Sequence, residues 1–231
     1  MTTADSASTI PLLVAIDGLG AVGKSTVGRI VARRLGYRFV DTGDMYRALT
    51  WLALHQGIEA GDEQGLSQLA SEARVEIKTS ASSGDRFVTV NGFDVTAEIY
   101  GQEVESAVSD FSRVASVRRS LVTLQRTMAE QGRLVMAGRD IGTVVLPQAS
   151  LKVFLVASVE ERAKRRHREE RGSTKRTYEE ILAELKRRDA TDSTRALSPT
   201  VPADDAMIVD TEGLTPQEVA DYIIVLAKEA R

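Results

Sequence analysis

Between Asp17 and Thr26 the chain reads D-G-L-G-A-V-G-K-S-T, a stretch whose residue types suit phosphate groups in two ways. Gly18, Gly20 and Gly23 fit the dinucleotide pattern G-x-G-x-x-G, while Gly18, Gly23, Lys24 and Ser25 fit the triphosphate pattern G-x-x-x-x-G-K-[ST]. Both loops follow a strand and open a helix. The dinucleotide reading also finds an acidic residue, Asp41, at the end of the next strand. Lys24 and Ser25 favour the triphosphate. A dinucleotide loop has no need of an ammonium there. A triphosphate is cradled by backbone N–H groups and a helix N-terminus, with Lys24 on the β and γ oxygens and the Ser25 hydroxyl on Mg²⁺. The loop residues Gly18, Leu19, Gly20, Ala21, Val22, Gly23, Lys24, Ser25 and Thr26 are therefore candidates for a nucleoside triphosphate.

A phosphate loop does not name a reaction, so the acceptor must be sought elsewhere. Three further segments carry anion-binding chemistry. "DTGDMYR" (41–47) places Thr42, Tyr46 and Arg47 just past a strand end, where open α/β sheets hold ligands. "AGRDIGTVV" (137–145) puts Arg139 and Asp140 at another strand end. "KRRDATDSTR" (186–195) spaces Arg188, Asp192 and Arg195 at i, i+4 and i+7, one helical face if the helix runs that far. A fourth stretch, 160–176, holds eight Lys or Arg residues, Arg162 and Arg166 among them. It reads either as phosphate-neutralising or as a solvated helix with i, i+4 pairs such as Glu161–Arg165.

These groups need a frame. Five short apolar runs, at 12–17, 37–41, 133–138, 151–157 and 206–210, read as buried parallel strands. Helical patterns alternate with them. Val27, Ile30, Val31 and Leu35 share a face that stops at Gly36, and the last helix starts with Thr215 as cap, Pro216 and a Glu218 capping partner. The result is an α/β fold with a parallel sheet. Residues 74–79 and 86–98, with an Asn91-Gly92 turn signal, break the rhythm as a small antiparallel insertion, followed by helical patterns over 101–131.

Composition narrows the classes. The 231 residues are 42% hydrophobic and 27% charged with a net charge of −3, which gives no support to a bulk nucleic-acid binder. The absence of cysteine excludes thiolate metal sites and cysteine nucleophiles, and His55 and His167 are too few for a His-rich metal site. No apolar run reaches the roughly 20 residues of a membrane span. "MTTADSASTIPL" lacks the features of a secretory signal, residues 1–9 read as a disordered tail, and the expected setting is the cytoplasm.

Taken together, the phosphate loop, "DTGDMYR", the insertion, "QEVESAVSDFSRVASVR", "GRDIGTVVLPQA" and "LKRRDATDSTRALSPTVPADDA" resemble the bacterial cytidylate (CMP/dCMP) kinases, within the nucleoside monophosphate kinases. The resemblance implies a P-loop NTP hydrolase-like core with a five-stranded parallel sheet flanked by helices. It implies one domain over 10–231: a core (10–41, 132–159, 178–231), a monophosphate-binding region with the inserted sheet (42–131) and a basic helical lid (160–177). It implies transfer of the ATP γ-phosphate to CMP or dCMP with Mg²⁺, in a monomer bound to neither nucleic acid nor membrane.

By the same resemblance, Arg47, Arg139 and Arg188 grip the acceptor phosphate, Asp140, Ser109 and Arg118 read the cytosine, and Asp192 takes a ribose hydroxyl. Arg195, Arg162 and Arg166 meet ATP phosphates or the transition state. Lys24, Arg139, Arg188 and Arg195 form the expected catalytic set. Tyr46 sits near the monophosphate or covers the core. One departure is Tyr100, where the pattern leads us to expect an arginine. Two other readings stay open. One is a monophosphate kinase of different base choice, such as a UMP/CMP type. The other is a P-loop switch that binds a triphosphate without transfer, although no guanine-reading N-K-x-D segment is present.

Overall fold

The computed structural model describes residues 13–79, 86–170, 176–195 and 197–229. The tail, the "SASSGD" turn, and Arg171 and Lys175 of the basic run lie outside the described residues. Within them, five strands form one parallel sheet: β1 (Leu13–Gly18), β2 (Arg38–Asp41), β6 (Leu134–Ala137), β7 (Leu151–Val156) and β8 (Met207–Asp210). Their order is β2-β6-β1-β7-β8, so β1 lies at the centre with β6 and β7 on either side.

Alternation along the central strands sorts the core into two layers. Val14 and Ile16 of β1, with Val135 and Ala137 of β6, face α1 (Lys24–Leu35) and α8 (Pro216–Glu229), where Val27, Val31, Val219 and Ile223 meet them. Ala15, Leu134 and Met136 face the other way, onto α2 (Thr42–His55) and α5 (Ala115–Glu130). That second layer continues through α3 (Glu63–Glu72) into a three-stranded antiparallel sheet of β3 (Val75–Thr79), β4 (Arg86–Val90) and β5 (Phe93–Asp94). Asn91 and Gly92 turn β4 into β5 with φ of 52° and 86°. A 3₁₀ turn (Glu98–Tyr100) leads to α4 (Gln102–Phe111). Trp51 packs on this core and stacks on His55, the last residue of α2, with ring centroids 5.1 Å apart.

The remaining helices, α6 (Val159–Glu170) and α7 (Tyr178–Thr194), pack on each other around Ala163, Ile181 and Leu185. Thr177 and Glu180 close a capping box at the start of α7. Helix α7 stops one residue short of Arg195, whose backbone is extended, so the expected i+7 position leaves the helical face. Strand β8 also departs from expectation. It is an edge strand, paired to β7 alone, and only Val209 is buried while Ile208 is 54% exposed. An apolar run cannot by itself distinguish a central from an edge strand.

The Gly36 cap forms as expected. Its φ of 67° is left-handed, and its N–H reaches the Ala32 and Arg33 carbonyls. No atom lies within 4 Å of an added Cβ, so backbone strain alone is at stake. Gly36→Ala should cost about 1 kcal/mol of stability, read by urea denaturation with an unchanged m-value.

Candidate active site

The phosphate loop joins the central strand to α1. Lys24 is buried, and its ammonium donates to the Leu19 carbonyl of its own loop (2.7 Å). Burial, with Arg139 nearby, pushes its pKa well down. The N-terminus of α1 points into the same space and favours negative charge there. Beside it the Ser25 hydroxyl donates to the Asp41 carboxylate. Asp41 also caps α2 by accepting from the Gly43 N–H (3.0 Å).

One buried carboxylate ties this loop to the second strand end. Asp17, 5% exposed, accepts from the backbone N–H groups of Ile141 (2.8 Å) and Gly142 (2.7 Å). The π-helical turn Ile141–Val145 after Arg139 and Asp140 is thereby fastened to β1. Burial raises the pKa of Asp17 to about 6 even against those two hydrogen bonds. Arg139 completes the link, with Nη1 donating to the Gly18 carbonyl (3.2 Å) and Nε to Asp192 Oδ2 (2.8 Å). Burial works to raise Asp192, but Arg139, Arg195 and Arg188 outweigh it and hold its pKa below the ordinary value.

A single cleft of about 1070 Å³ runs from the phosphate loop to α4. It is large enough for two nucleotides side by side. Of the loop residues, Gly20 to Thr26 line it, whereas Gly18 and Leu19 lie behind. Arg47, Arg139, Arg188 and Arg195 all reach it, with Thr42, Tyr46, Ser109, Arg118, Asp140 and Asp192. Arg118 and Asp140 form an ion pair buried on both sides, and the Arg118 guanidinium lies over the Tyr46 ring, 5.4 Å from its centroid. Burial pushes the Tyr46 hydroxyl up to about 12. The Thr42 hydroxyl donates to the Ala137 carbonyl (2.9 Å), which joins α2 to the end of β6. Arg195 donates from Nε to the Ser198 carbonyl (2.7 Å) and lies 3.8 Å from Asp192.

The basic run divides in space. Arg166 lines the cleft, as do Arg165, Arg168 and Arg176, which the sequence did not single out. Arg162 does not line it. Its guanidinium pairs with Asp189 (2.6 Å) and donates to the Gly20 (3.1 Å) and Ala157 (3.2 Å) carbonyls. The Glu161–Arg165 pair is present at 3.1 Å.

Two features of the wall escaped sequence reasoning. At one, Arg86 from β4 pairs with buried Asp44 and donates to the Tyr100 hydroxyl (2.6 Å), which itself donates to Asp44. Burial and neighbouring Asp41 raise the pKa of Asp44 to about 6 against Arg86. The other is Glu105 on α4, which faces three arginines. Neither has a local motif. Only the Tyr100 departure marked the first.

Comparison with known proteins decides the family. The family model described as "Cytidylate kinase" matches residues 14–229. The chain is 48% identical to a cytidylate kinase of Geobacillus sp. (strain WCH70), over 94% of this chain and 96% of that protein. It is 46% identical to that of Bacillus subtilis (strain 168), over 92% and 95%. The chain belongs to the cytidylate kinase family. A cytidylate kinase family member is a kinase, and the cleft brings the phosphate loop together with Arg47, Arg139, Arg188 and Arg195. Solved structures agree on the fold. A gluconokinase from Sinorhizobium meliloti 1021 superposes with a TM-score of 0.50 at 14% identity, covering 95% of this chain and 93% of that one. Among the described residues no helix is long and apolar enough to cross a membrane.

The Asp17 link yields a pH test. Its folded pKa, about 6, stands above the ordinary 3.8, so the stability it contributes is present below pH 3.8 and is lost as pH rises through 6. Asp17→Asn should remove that decline from the profile of Tm against pH between 4 and 6. An amide also accepts from only one of the two N–H groups, so the turn shifts, and turnover should fall about 100-fold at neutral pH with fold retained by circular dichroism.

Proposed function

We propose that this kinase transfers the γ-phosphate of ATP to CMP or dCMP, giving ADP and CDP or dCDP. The observation that carries the reading is the buried Arg118–Asp140 pair in the same cleft as Arg47, Arg139 and Arg188, opposite the phosphate loop. Cytosine presents an N4 amino donor beside the N3 and O2 acceptors. A carboxylate accepts from N4, and Arg118 and Ser109 donate to N3 and O2. Uracil would turn its O4 acceptor onto the Asp140 carboxylate, setting two acceptors face to face with no proton between them. Sites of this kind discriminate by factors on the order of 10⁴. Asp192, paired with Arg139 in the same cleft, is the candidate to accept from a ribose hydroxyl.

The acceptor phosphate is gripped by Arg47, Arg139 and Arg188, whose planar forks suit its oxygens. It is already an anion, so no general base is needed, and the protein's work is positioning and charge stabilisation. Lys24 leaves the Leu19 carbonyl for the donor phosphates. Arg139 reaches both sites through Gly18 and Asp192, and it stabilises the phosphoryl group in passage. Arg166 and Arg195 add charge as the α6–α7 hairpin acts as a lid and excludes water. Arg162, held by Asp189, supports the loop through Gly20. Mg²⁺ fits this donor set. Ser25 and Asp41 offer hard oxygens side by side, and among the described residues no three His, Cys, Asp or Glu side chains form a separate cage. The ion would share its coordination with the nucleotide phosphates and neutralise their charge. One chain supplies every group named, so a monomer suffices, and nucleotide substrates are consistent with a cytoplasmic setting.

The test is ADP release from MgATP with CMP, dCMP, UMP, AMP or GMP as acceptor. Strong turnover with CMP and dCMP alone is expected. Equal turnover with UMP would keep the kinase and remove the Asp140 model, and no acceptor-dependent ADP would leave only a nucleotide-binding switch. Asp140→Asn preserves size and lets the amide donate to O4. It should cut the preference for CMP over UMP, as a ratio of kcat/KM, about 100-fold.

A further inference from the structure

The acceptor arginines do not wait on solvent. Glu105 projects from α4 into the cleft, its side chain only 11% exposed. One oxygen lies 2.5 Å from Arg47 of α2 and 3.7 Å from Arg166 of α6, and the other pairs with Arg188 of α7. Burial works to raise the carboxyl, but Arg47, Arg188 and Arg166 outweigh it and hold it at about 2. It is therefore a permanent anion. Its neighbours Val104, Val108 and Phe111 serve the core, so α4 gains nothing by packing from a charge here.

Glu105 is shared by three guanidiniums, with Glu170 beside Arg166 and Glu184 beside Arg188. The sharing leaves Arg188 short of an acceptor. Its Nε is buried and finds no acceptor among the described residues, although Glu184 lies 3.6 Å from its Nη1. A phosphomonoester dianion carries twice the charge and a third oxygen, so it satisfies the same cluster better. Two of the three arginines are those assigned above to the acceptor phosphate. The third, Arg166, belongs to the proposed lid, and its Nε donates to Glu170 (2.7 Å).

We infer that Glu105 is a built-in stand-in for the acceptor phosphate: it holds Arg47, Arg188 and the lid arginine Arg166 until the dianion displaces it, and so couples arrival of the acceptor to release of Arg166 toward the donor. The inference rests on the proposed function. Glu105 is a positioning residue, and it acts twice. It keeps the guanidiniums together before the acceptor binds, and it opposes the acceptor by competing for them. With Glu105 in place, Arg166 is withheld from ATP until there is something to phosphorylate.

Glu105→Gln keeps the volume and removes the charge. Its KM for CMP should fall about tenfold, the scale of one close like-charge contact removed. ADP release from MgATP without acceptor should rise. The Tm of the variant should gain more from added sulfate than that of the wild type, because sulfate then supplies the missing anion. An unchanged or raised KM, without the larger response to sulfate, would make Glu105 a simple brace and overturn the inference. Should Glu105→Gln not fold, Glu105→Asp keeps the charge but draws it back by one methylene. A KM for CMP and a sulfate response equal to the wild type's would then overturn it. The sulfate response needs no turnover. A wild type inactive on CMP, with the sulfate difference intact, would remove the kinase assignment while leaving Glu105 as the anion's stand-in.

Discussion

Positive charge that must be concentrated before its ligand arrives is the constraint on which this structure turns. Two polyanions are to meet in one cleft, so guanidinium groups from α2, α5, α6, α7 and the turn after β6 converge there. Left alone they would repel one another across a partly buried space. The chain answers with carboxylates, each drawn from an element other than its arginine's. Arg139 rests on Asp192, Arg118 on Asp140, Arg162 on Asp189 and Arg86 on Asp44, while Arg47, Arg166 and Arg188 gather on Glu105. These pairs are weak evidence of stability, because desolvating two charges offsets much of their attraction. Their value is geometric: they fix where each fork points.

The sheet supplies the rigid reference for those directions. β1 and β6 are neighbours, and both the phosphate loop and the Arg139–Asp140 turn leave from their carboxyl ends. Asp17 then closes the gap with two hydrogen bonds to backbone, so the phosphate loop and the Arg139–Asp140 turn share one anchor. A carboxylate that accepts two N–H groups is a sparing solution. It introduces no bulk and no mobile side chain, and its cost appears as the raised pKa rather than as lost packing.

What could be read from sequence follows from how local the physics is. The phosphate loop, the Gly36 and Thr215 caps and the Asn91-Gly92 turn each depend on a few adjacent residues, and each formed where the pattern placed it. The five strands were legible because burial leaves a run of apolar residues. Their places in the sheet were not, and β8 proved to be an exposed edge. Arg47, Arg118, Arg139, Arg166, Arg188 and Arg195 could be named through the family resemblance, but not their partners. Arg162 and Asp189 lie 27 residues apart, and Arg188 and Glu105 lie 83 apart. No period or spacing connects such pairs. The Asp44–Arg86–Tyr100 cluster shows the same limit, since Tyr100 stood out as a departure while the two charges that explain it lay elsewhere.

The α6–α7 pair brings apolar packing and ion pairing into opposition. Its apolar anchor, around Ala163, Ile181 and Leu185, includes Ala21 of the phosphate loop, so the hairpin is fixed at its donor end. Toward the acceptor it is held by charge, through Arg166 and Arg188 on Glu105. Apolar contacts are indifferent to the arrival of a phosphate, and ion pairs are not, because an incoming dianion can take the place of a carboxylate in kind. A hinge of the first sort and a latch of the second would therefore suit the lid role proposed for the hairpin. The arrangement lets the ligand's own charge exchange the contacts of the latch while the packing near the phosphate loop stays as it is.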